Sequence, residues 1–270
     1  MTRSIRAIEM TATIGTLLFQ RAPRVWIESQ RHRILSRAEI ILPDPLGEVY
    51  QAVAMGDPVT LSIGYREDNP ALWQGTVDYR LSGRTRHQIS IGAVGTEKPL
   101  TETIISQAFE NETPEAIIKW AVEQAGMTPG RIDAPGVPFP WFVASSIPVW
   151  QVARQCAATC ERAFDIDMSR WALWLDANGA VNWGDFDSDE DCVTIATGDG
   201  LIQHTPAENA AGLHKVEAFL LPGLRHSNPM ILIDANRNIE ETFRALRVRH
   251  EITYDKARTY VWYGKERKKY

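Results

Sequence analysis

Apolar and polar residues alternate at period two through much of the first hundred positions. Val59-Thr60-Leu61-Ser62-Ile63, Leu72–Leu81 and His87–Ile91 follow this pattern. It puts one side of each segment in a core and the other in water, and it predicts β-strands. Val25–Ile27 and Ala38–Leu42 are shorter β-prone runs. The weak apolar run Ala12–Phe19, interrupted by Thr13, Gly15 and Thr16, reads as an early strand and not as a signal peptide, whose apolar core is longer. Pro43-Asp44-Pro45-Leu46-Gly47 and Ser82-Gly83-Arg84 supply turns. Short, regularly spaced strands with turns between them predict a sandwich or barrel.

After Pro99 the period changes. Thr113 and Pro114 open a helix as cap and first-turn residue. Ile117, Ile118, Trp120, Ala121, Val122 and Ala125 follow at helical spacing, and Gly126 ends it. A Pro- and Gly-rich loop is expected over Pro129–Pro140. A second helix begins at Ser146-Ile147-Pro148, with a face of Val149, Val152, Ala153, Cys156, Ala157 and Cys160. Trp171–Leu175 and Ala180–Trp183, joined by Asp176-Ala177-Asn178-Gly179, form a hairpin, because Asn-Gly between apolar runs suits a tight turn. From Lys215 the pattern returns to β, with strands expected over Val216–Leu221, Met230–Ile233, Thr242–Tyr254 and Arg258–Tyr263. The charged end, Lys265–Tyr270, reads as a frayed or partner-bound tail.

The two β regions echo each other. A strand opened by Pro58, then Trp73 and Val77, then Arg84–Gly92 match a strand opened by Pro229, then Phe243 and Val248, then Lys256–Gly264. The fold expected is mainly β with an α+β insert: two related β-barrel domains, 1–97 and 191–270, flanking an inserted α/β module, 98–190.

Charge supports separate modules. Residues 101–200 carry 5 Lys+Arg against 16 Asp+Glu, whereas 1–100 carry 12 against 10 and 201–270 carry 12 against 8. Net acidity disfavours nucleic-acid binding, which needs a clustered basic footprint. No apolar run is long enough to span a bilayer. Three cysteines argue against a disulfide framework. Cys156 and Cys160 share a helix face, but no second close Cys or His pair accompanies them, so they read as buried small residues and not as metal ligands.

Catalytic signatures are missing: there is no Gly-x-Ser-x-Gly, His-Glu-x-x-His, P-loop or Gly-x-Gly-x-x-Gly. His32, His87, His204, His214, His226 and His250 make no close pair in sequence. His87 and His250 read as solvated or hydrogen-bonded strand residues. The acidic run Asp185–Asp191 starts like a calcium loop, but Glu190 and Ala196 stand where that loop needs Gly and Glu, so it reads as a solvated linker. No two carboxylates are singled out for sugar cleavage. No catalytic, cofactor-binding or metal-binding residue and no enzymatic activity are therefore expected.

Several segments resemble the hub proteins of phage-type tails, the late control protein D family. They are the Leu42-Pro43 strand end, Met55-Gly56-Asp57-Pro58-Val59, Trp73-Gln74-Gly75-Thr76-Val77, the helix start Asn111–Ile118 with Ala125-Gly126-Met127, Ile147-Pro148-Val149-Trp150, the Asp176–Gly179 hairpin, Leu220–Arg225 and Phe243–His250. Their order and spacing, across about residues 25–264, carry the resemblance. It implies two β-barrels flanking an α/β region, three copies closed into a ring, a tail tube above and a spike, tip or other baseplate proteins below. It also implies assembly in the host bacterial cytoplasm and residence in the virion tail. No segment resembles an appended spike or lysozyme-like domain, so wall-cutting is expected to fall to other proteins. The competing expectation is a tail-tip peptidoglycan-binding or cell-wall-degrading protein, with Trp120, Trp141, Trp150, Trp171, Trp174 and Trp183 as an aromatic sugar platform.

Overall fold

The computed structural model describes residues 8–20, 22, 24–31, 33–66, 70–82, 87–176, 178–185, 192–208 and 212–264. They fall into two compact units, one within Met1–Gly95 and Ser188–Arg267, the other within Thr96–Asp187. The first segment holds β1 (Ile8–Ile14), β2 (Leu17–Phe19), β3 (Arg24–Gln30), β4 (Arg33–Pro43), the short helix α1 (Glu48–Ala52), β5 (Pro58–Tyr65), β6 (Ala71–Ser82) and β7 (Gln88–Gly95). The second unit holds α2 (Pro99–Glu102), β8 (Ile104–Glu112), α3 (Pro114–Gln124), β9 (Pro129–Ile132), β10 (Phe139–Pro148), α4 (Val149–Phe164), β11 (Ala172–Leu175) and β12 (Val181–Gly184). The chain then returns to the first unit with β13 (Val193–Thr197), β14 (Gly200–Thr205), β15 (His214–Phe219), β16 (Pro229–Asp234), β17 (Ile239–Arg244), β18 (Arg247–Thr253) and β19 (Ala257–Tyr263).

The protein is mainly β with a helical insert. Among the described residues, one sheet of 14 strands runs through the first unit in the order β17-β16-β13-β14-β15-β19-β18-β3-β4-β7-β6-β5-β1-β2. The two β segments meet where β18 pairs antiparallel with β3, Val248 opposite Ser29 and His250 opposite Ile27. Each segment nevertheless keeps its own apolar cluster. Ile40, Leu61 and Ile91 belong to one, and Val216, Leu232 and Val261 to the other. Leu220, Ile252 and Ala257 cross from the second segment to complete the first core.

The internal echo has a topological counterpart. β5 pairs with β6, β6 with β7 and β7 with β4. Likewise β16 pairs with β17, β18 with β19 and β19 with β15. The long strand expected over Thr242–Tyr254 is in fact two, β17 and β18, because the chain changes partner at Ala245-Leu246. The Ala245 N–H reaches Asn228 O at 3.1 Å, and the Leu246 N–H reaches Trp262 O at 2.8 Å. Only these two residues separate β17, which pairs with β16, from β18, which pairs with β19. In the first segment the same division of labour falls on the single strand β6, whose register slips between Val77 and Tyr79.

In the second unit, α3 buries Pro114, Ile117, Ile118, Ala121 and Val122, and Gly126 follows with φ of 69°. The α4 helix buries Val149, Val152, Ala153, Cys156 and Cys160, while Ala157 of the expected face stays half-buried. Asp176 Oδ1 fixes the β11–β12 turn by accepting the Asn178 and Ala180 N–H groups at 2.8 and 3.1 Å. The stretch expected as loop over Pro129–Pro140 contributes two strands: β9 joins β12 in parallel, and β10 starts at Phe139. β10 and β8 form a two-stranded ribbon. No helix among the described residues is long and apolar enough to cross a membrane.

Candidate functional site

Strand alternation sends Val25, Ile27, Val248, His250, Thr259 and Val261 inward and leaves the outer face of β15-β19-β18-β3-β4 to charged and aromatic residues. Many of these residues pair with one another. Arg249 lies over the Trp26 ring at 4.6 Å, Arg247 over Trp262 at 4.3 Å and Lys215 over Tyr260 at 4.6 Å. Arg247 also pairs with Glu28, Arg24 with Glu251 at 3.0 Å and Arg258 with Glu217 at 3.5 Å. The Trp26 indole N–H donates to Glu39 at 2.6 Å. Next to it, burial and the Glu39 charge push the Tyr79 hydroxyl above its ordinary range. This lattice crosses the β18–β3 seam and ties the two β segments together.

Two polar clusters lie inside. The Leu221 N–H donates to Thr259 Oγ1 at 2.8 Å, Thr259 Oγ1 lies 3.0 Å from His250 Nδ1, and His250 Nε2 lies 2.9 Å from the Leu224 carbonyl. With the Thr259 proton given to Nδ1 and the Nε2 proton to Leu224, every group is satisfied by a neutral ring. His250 therefore pins the 221–224 turn to the β18–β19 hairpin, as a hydrogen-bonded strand residue. Burial, with Arg225 nearby, lowers its pKa from 6.5 to about 4. The unfolded chain then binds a proton that the native state refuses. The His250 contribution is complete above pH 6.5 and is lost as the pH falls toward 4, at about 1.4 kcal/mol per pH unit. Urea titrations at stepped pH are expected to show this slope in the wild type and its loss in His250→Gln.

The second cluster joins β14, β16, β17 and β19. His204, almost fully buried, places Nδ1 3.3 Å from Asp234 Oδ2 and Nε2 3.1 Å from the Tyr263 hydroxyl. Tyr263 donates to Glu241 at 3.0 Å. Arg237 reaches both the His204 carbonyl and Asp234. With the Tyr263 proton given to Glu241, both His204 nitrogens face acceptors. Burial would raise the Asp234 carboxyl, but hydrogen bonds from Arg237 and His204 outweigh it and hold the group below its ordinary value. Burial and the neighbouring Glu241 raise Tyr263. His214 stacks on Tyr263 with ring centroids 4.7 Å apart. The sequence showed no pairing among these residues. The contacts arise from strands far apart in the chain.

Cys156 and Cys160 are buried on α4. Burial raises both thiols, Cys160 to about 11, which disfavours the thiolate that a metal would need. Among the described residues no group of three or more His, Cys, Asp or Glu side chains is placed to hold a metal ion. Residues 186–191 of the acidic run, residues 265–270 of the tail, and His32 lie outside the described residues; Asp185 pairs with Arg170 at 3.1 Å. Of the six tryptophans of the expected sugar platform, Trp183 is buried against Trp171, with centroids 4.5 Å apart, and Trp120 packs on Phe109 at 5.3 Å. Trp150 and Trp174 are half-buried, and Trp141, on the outer side of the β8–β10 ribbon, is largely exposed.

As a sequence, the chain matches no family model and no curated protein. As a structure it is similar to the 43 kDa tail protein of prophage MuSo2 from Shewanella oneidensis. The TM-score is 0.71 at 12% identity, covering 96% of this chain and 97% of that one. A tail protein from Neisseria meningitidis MC58 gives 0.71 at 10% identity, covering 95% and 96%. The E. coli c3393 protein, a component of the type VI secretion system with structural similarity to the T4 bacteriophage tail proteins gp27 and gp5, gives 0.64 at 10% identity, covering 96% and 78%. The chain thus has a fold found in phage tail proteins and in a secretion-system component.

Proposed function

We propose that this protein is the structural hub of a phage or phage-like tail. In this reading residues 1–97 and 191–270 are the two ring-forming β domains and 98–190 the insert. Three copies close into a ring that joins the tail tube to a tail-tip spike or to other baseplate proteins. The ring is assembled in the host cytoplasm and carried in the virion tail. The observation that carries the reading is the repeated pairing β5-β6-β7-β4 and β16-β17/β18-β19-β15 within one sheet. A chain with two like halves in three copies presents six like surfaces, which matches a sixfold tube on one side and a threefold spike on the other. The buried, raised thiols support a structural role without catalysis.

Light scattering behind a sizing column tests it. The expected mass is that of a trimer, either alone or once a tail-tube or spike protein is added. A strict monomer under all these conditions, with no retention of either partner, would overturn it.

A further inference from the structure

Charge is uneven along the outer lattice. The strand registers set its residues in rows that run across the strands. One row reads Lys215, Trp262, Arg247, Gln30 and Arg33, from β15 through β19, β18 and β3 to β4. The next reads Glu217, Tyr260, Arg249, Glu28 and Arg37. Together they hold five cations against two carboxylates, and both carboxylates are engaged. Glu217 turns to Arg258 of the following row at 3.5 Å. Glu28 accepts from Arg247 and from the Gln30 amide at 2.6 Å, and lies 4.0 Å from Arg249. The following row, Arg258, Glu251, Trp26 and Glu39, has the opposite balance. The excess positive charge is thus confined to one band of the face. Arg33 and Arg37, at its β4 end, are exposed. Arg247 and Arg249 keep Nε–H groups without an acceptor among the described residues.

We propose that this basic band is a docking site for an acidic segment of a partner protein, a stretch of chain rich in Asp and Glu. The inference goes beyond the hub reading and does not depend on it.

Charge complementarity selects the sign of the partner, and the aromatic rings select its class. Arginine supplies four of the five cations, and its planar fork meets a carboxylate with two parallel hydrogen bonds. Arg247 lies over the Trp262 ring, Lys215 over Tyr260 and Arg249 over Trp26. Rings covered by cations offer no stacking platform to bases, which a single-stranded nucleic acid uses. They instead hold the cationic groups in place, so less side-chain freedom is lost when an acid arrives. The chain as a whole carries a net charge of −5, so binding of a polyacid reports this band and not the overall charge.

Fluorescein-labelled poly-L-glutamate, titrated with the full chain in dilute buffer and read by anisotropy, tests the band. The wild type is expected to bind saturably, and more weakly as salt rises. Arg33→Glu/Arg37→Glu is expected to weaken binding by about tenfold or more, since each reversal replaces an attraction with a repulsion. Lys119→Glu/Arg162→Glu makes the same change of charge at exposed positions of α3 and α4, and is expected to leave binding unchanged. Circular dichroism checks that both proteins fold. If the reversed band does not fold, Arg33→Gln/Arg37→Gln removes the same cations and is expected to weaken binding by about threefold or more. No saturable binding by the wild type, or equal binding by the wild type and the band variants, overturns the proposal. Tighter binding of a single-stranded oligonucleotide of equal charge also overturns it and gives the band to nucleic acid. The mass in solution tests the hub reading separately, so either reading can fail without the other.

Discussion

Asp234→Ala is expected to lower the unfolding free energy by about 1–3 kcal/mol, the usual cost of leaving a buried polar group without its hydrogen-bond partner. Asp234 is nearly fully buried. Its carboxylate faces His204 Nδ1 at 3.3 Å and accepts from Arg237 at 3.3 Å and the Asn236 N–H at 3.1 Å. Alanine would leave Nδ1 of the buried imidazole without its partner and release Arg237 from Asp234, although Arg237 also ties down the His204 carbonyl. The damage would spread, because Tyr263 and Glu241 hang from the other side of the same ring. Asp234→Asn keeps an acceptor oxygen and is expected to cost less. Urea denaturation of the three proteins measures the order directly. A loss under about 1 kcal/mol for Asp234→Ala would mean that the cluster is incidental to the second β segment.

Gly75→Ala is expected to be at least as damaging, at about 3 kcal/mol or more, for a steric reason. Gly75 sits in β6 between β5 and β7, opposite Val59 on one side and Gly95 on the other. A Cβ there would lie 2.1 Å from the Val94 carbonyl oxygen and 2.6 Å from the tip of the Trp73 ring. The ring cannot swing away freely, since its indole N–H donates to Ser36 at 3.0 Å inside the core. The Val94 oxygen belongs to the backbone, so relief requires β6 and β7 to part. Gly223→Ala is the control: nothing lies within 4 Å of its added carbon. Thermal unfolding is expected to show a large drop for Gly75→Ala and almost none for Gly223→Ala.

The same residues show what was legible beforehand. Period-two alternation at Val59–Ile63 and His87–Ile91 identified β5 and β7, because a strand with one wet face cannot hide its pattern. The helical faces of α3 and α4 and the Asn178-Gly179 hairpin were equally plain. The β8–β10 ribbon was not, since much of it is exposed on both faces and Phe109, Phe139 and Phe142 are spaced among polar residues and prolines. β13 and β14 were also missed. They are short, and Gly198 and Gly200 interrupt their apolar pattern at positive φ. Thr242–Tyr254 reads as one strand because nothing in Ala245-Leu246 announces a change of partner.

The sequence by itself determined the regularly alternating strands such as β5 and β7, the helices α3 and α4, and the side of each that faces inward, since those depend on local period and on the water-aversion of single side chains. Only the tertiary structure decided which strand lies beside which. Side-chain period selects a face but not a neighbour. The joining of β18 to β3, the change of partner at Ala245-Leu246 and the meeting of His204 with Asp234 and Tyr263 all follow from strand order. That order is fixed by the packing of two cores at once.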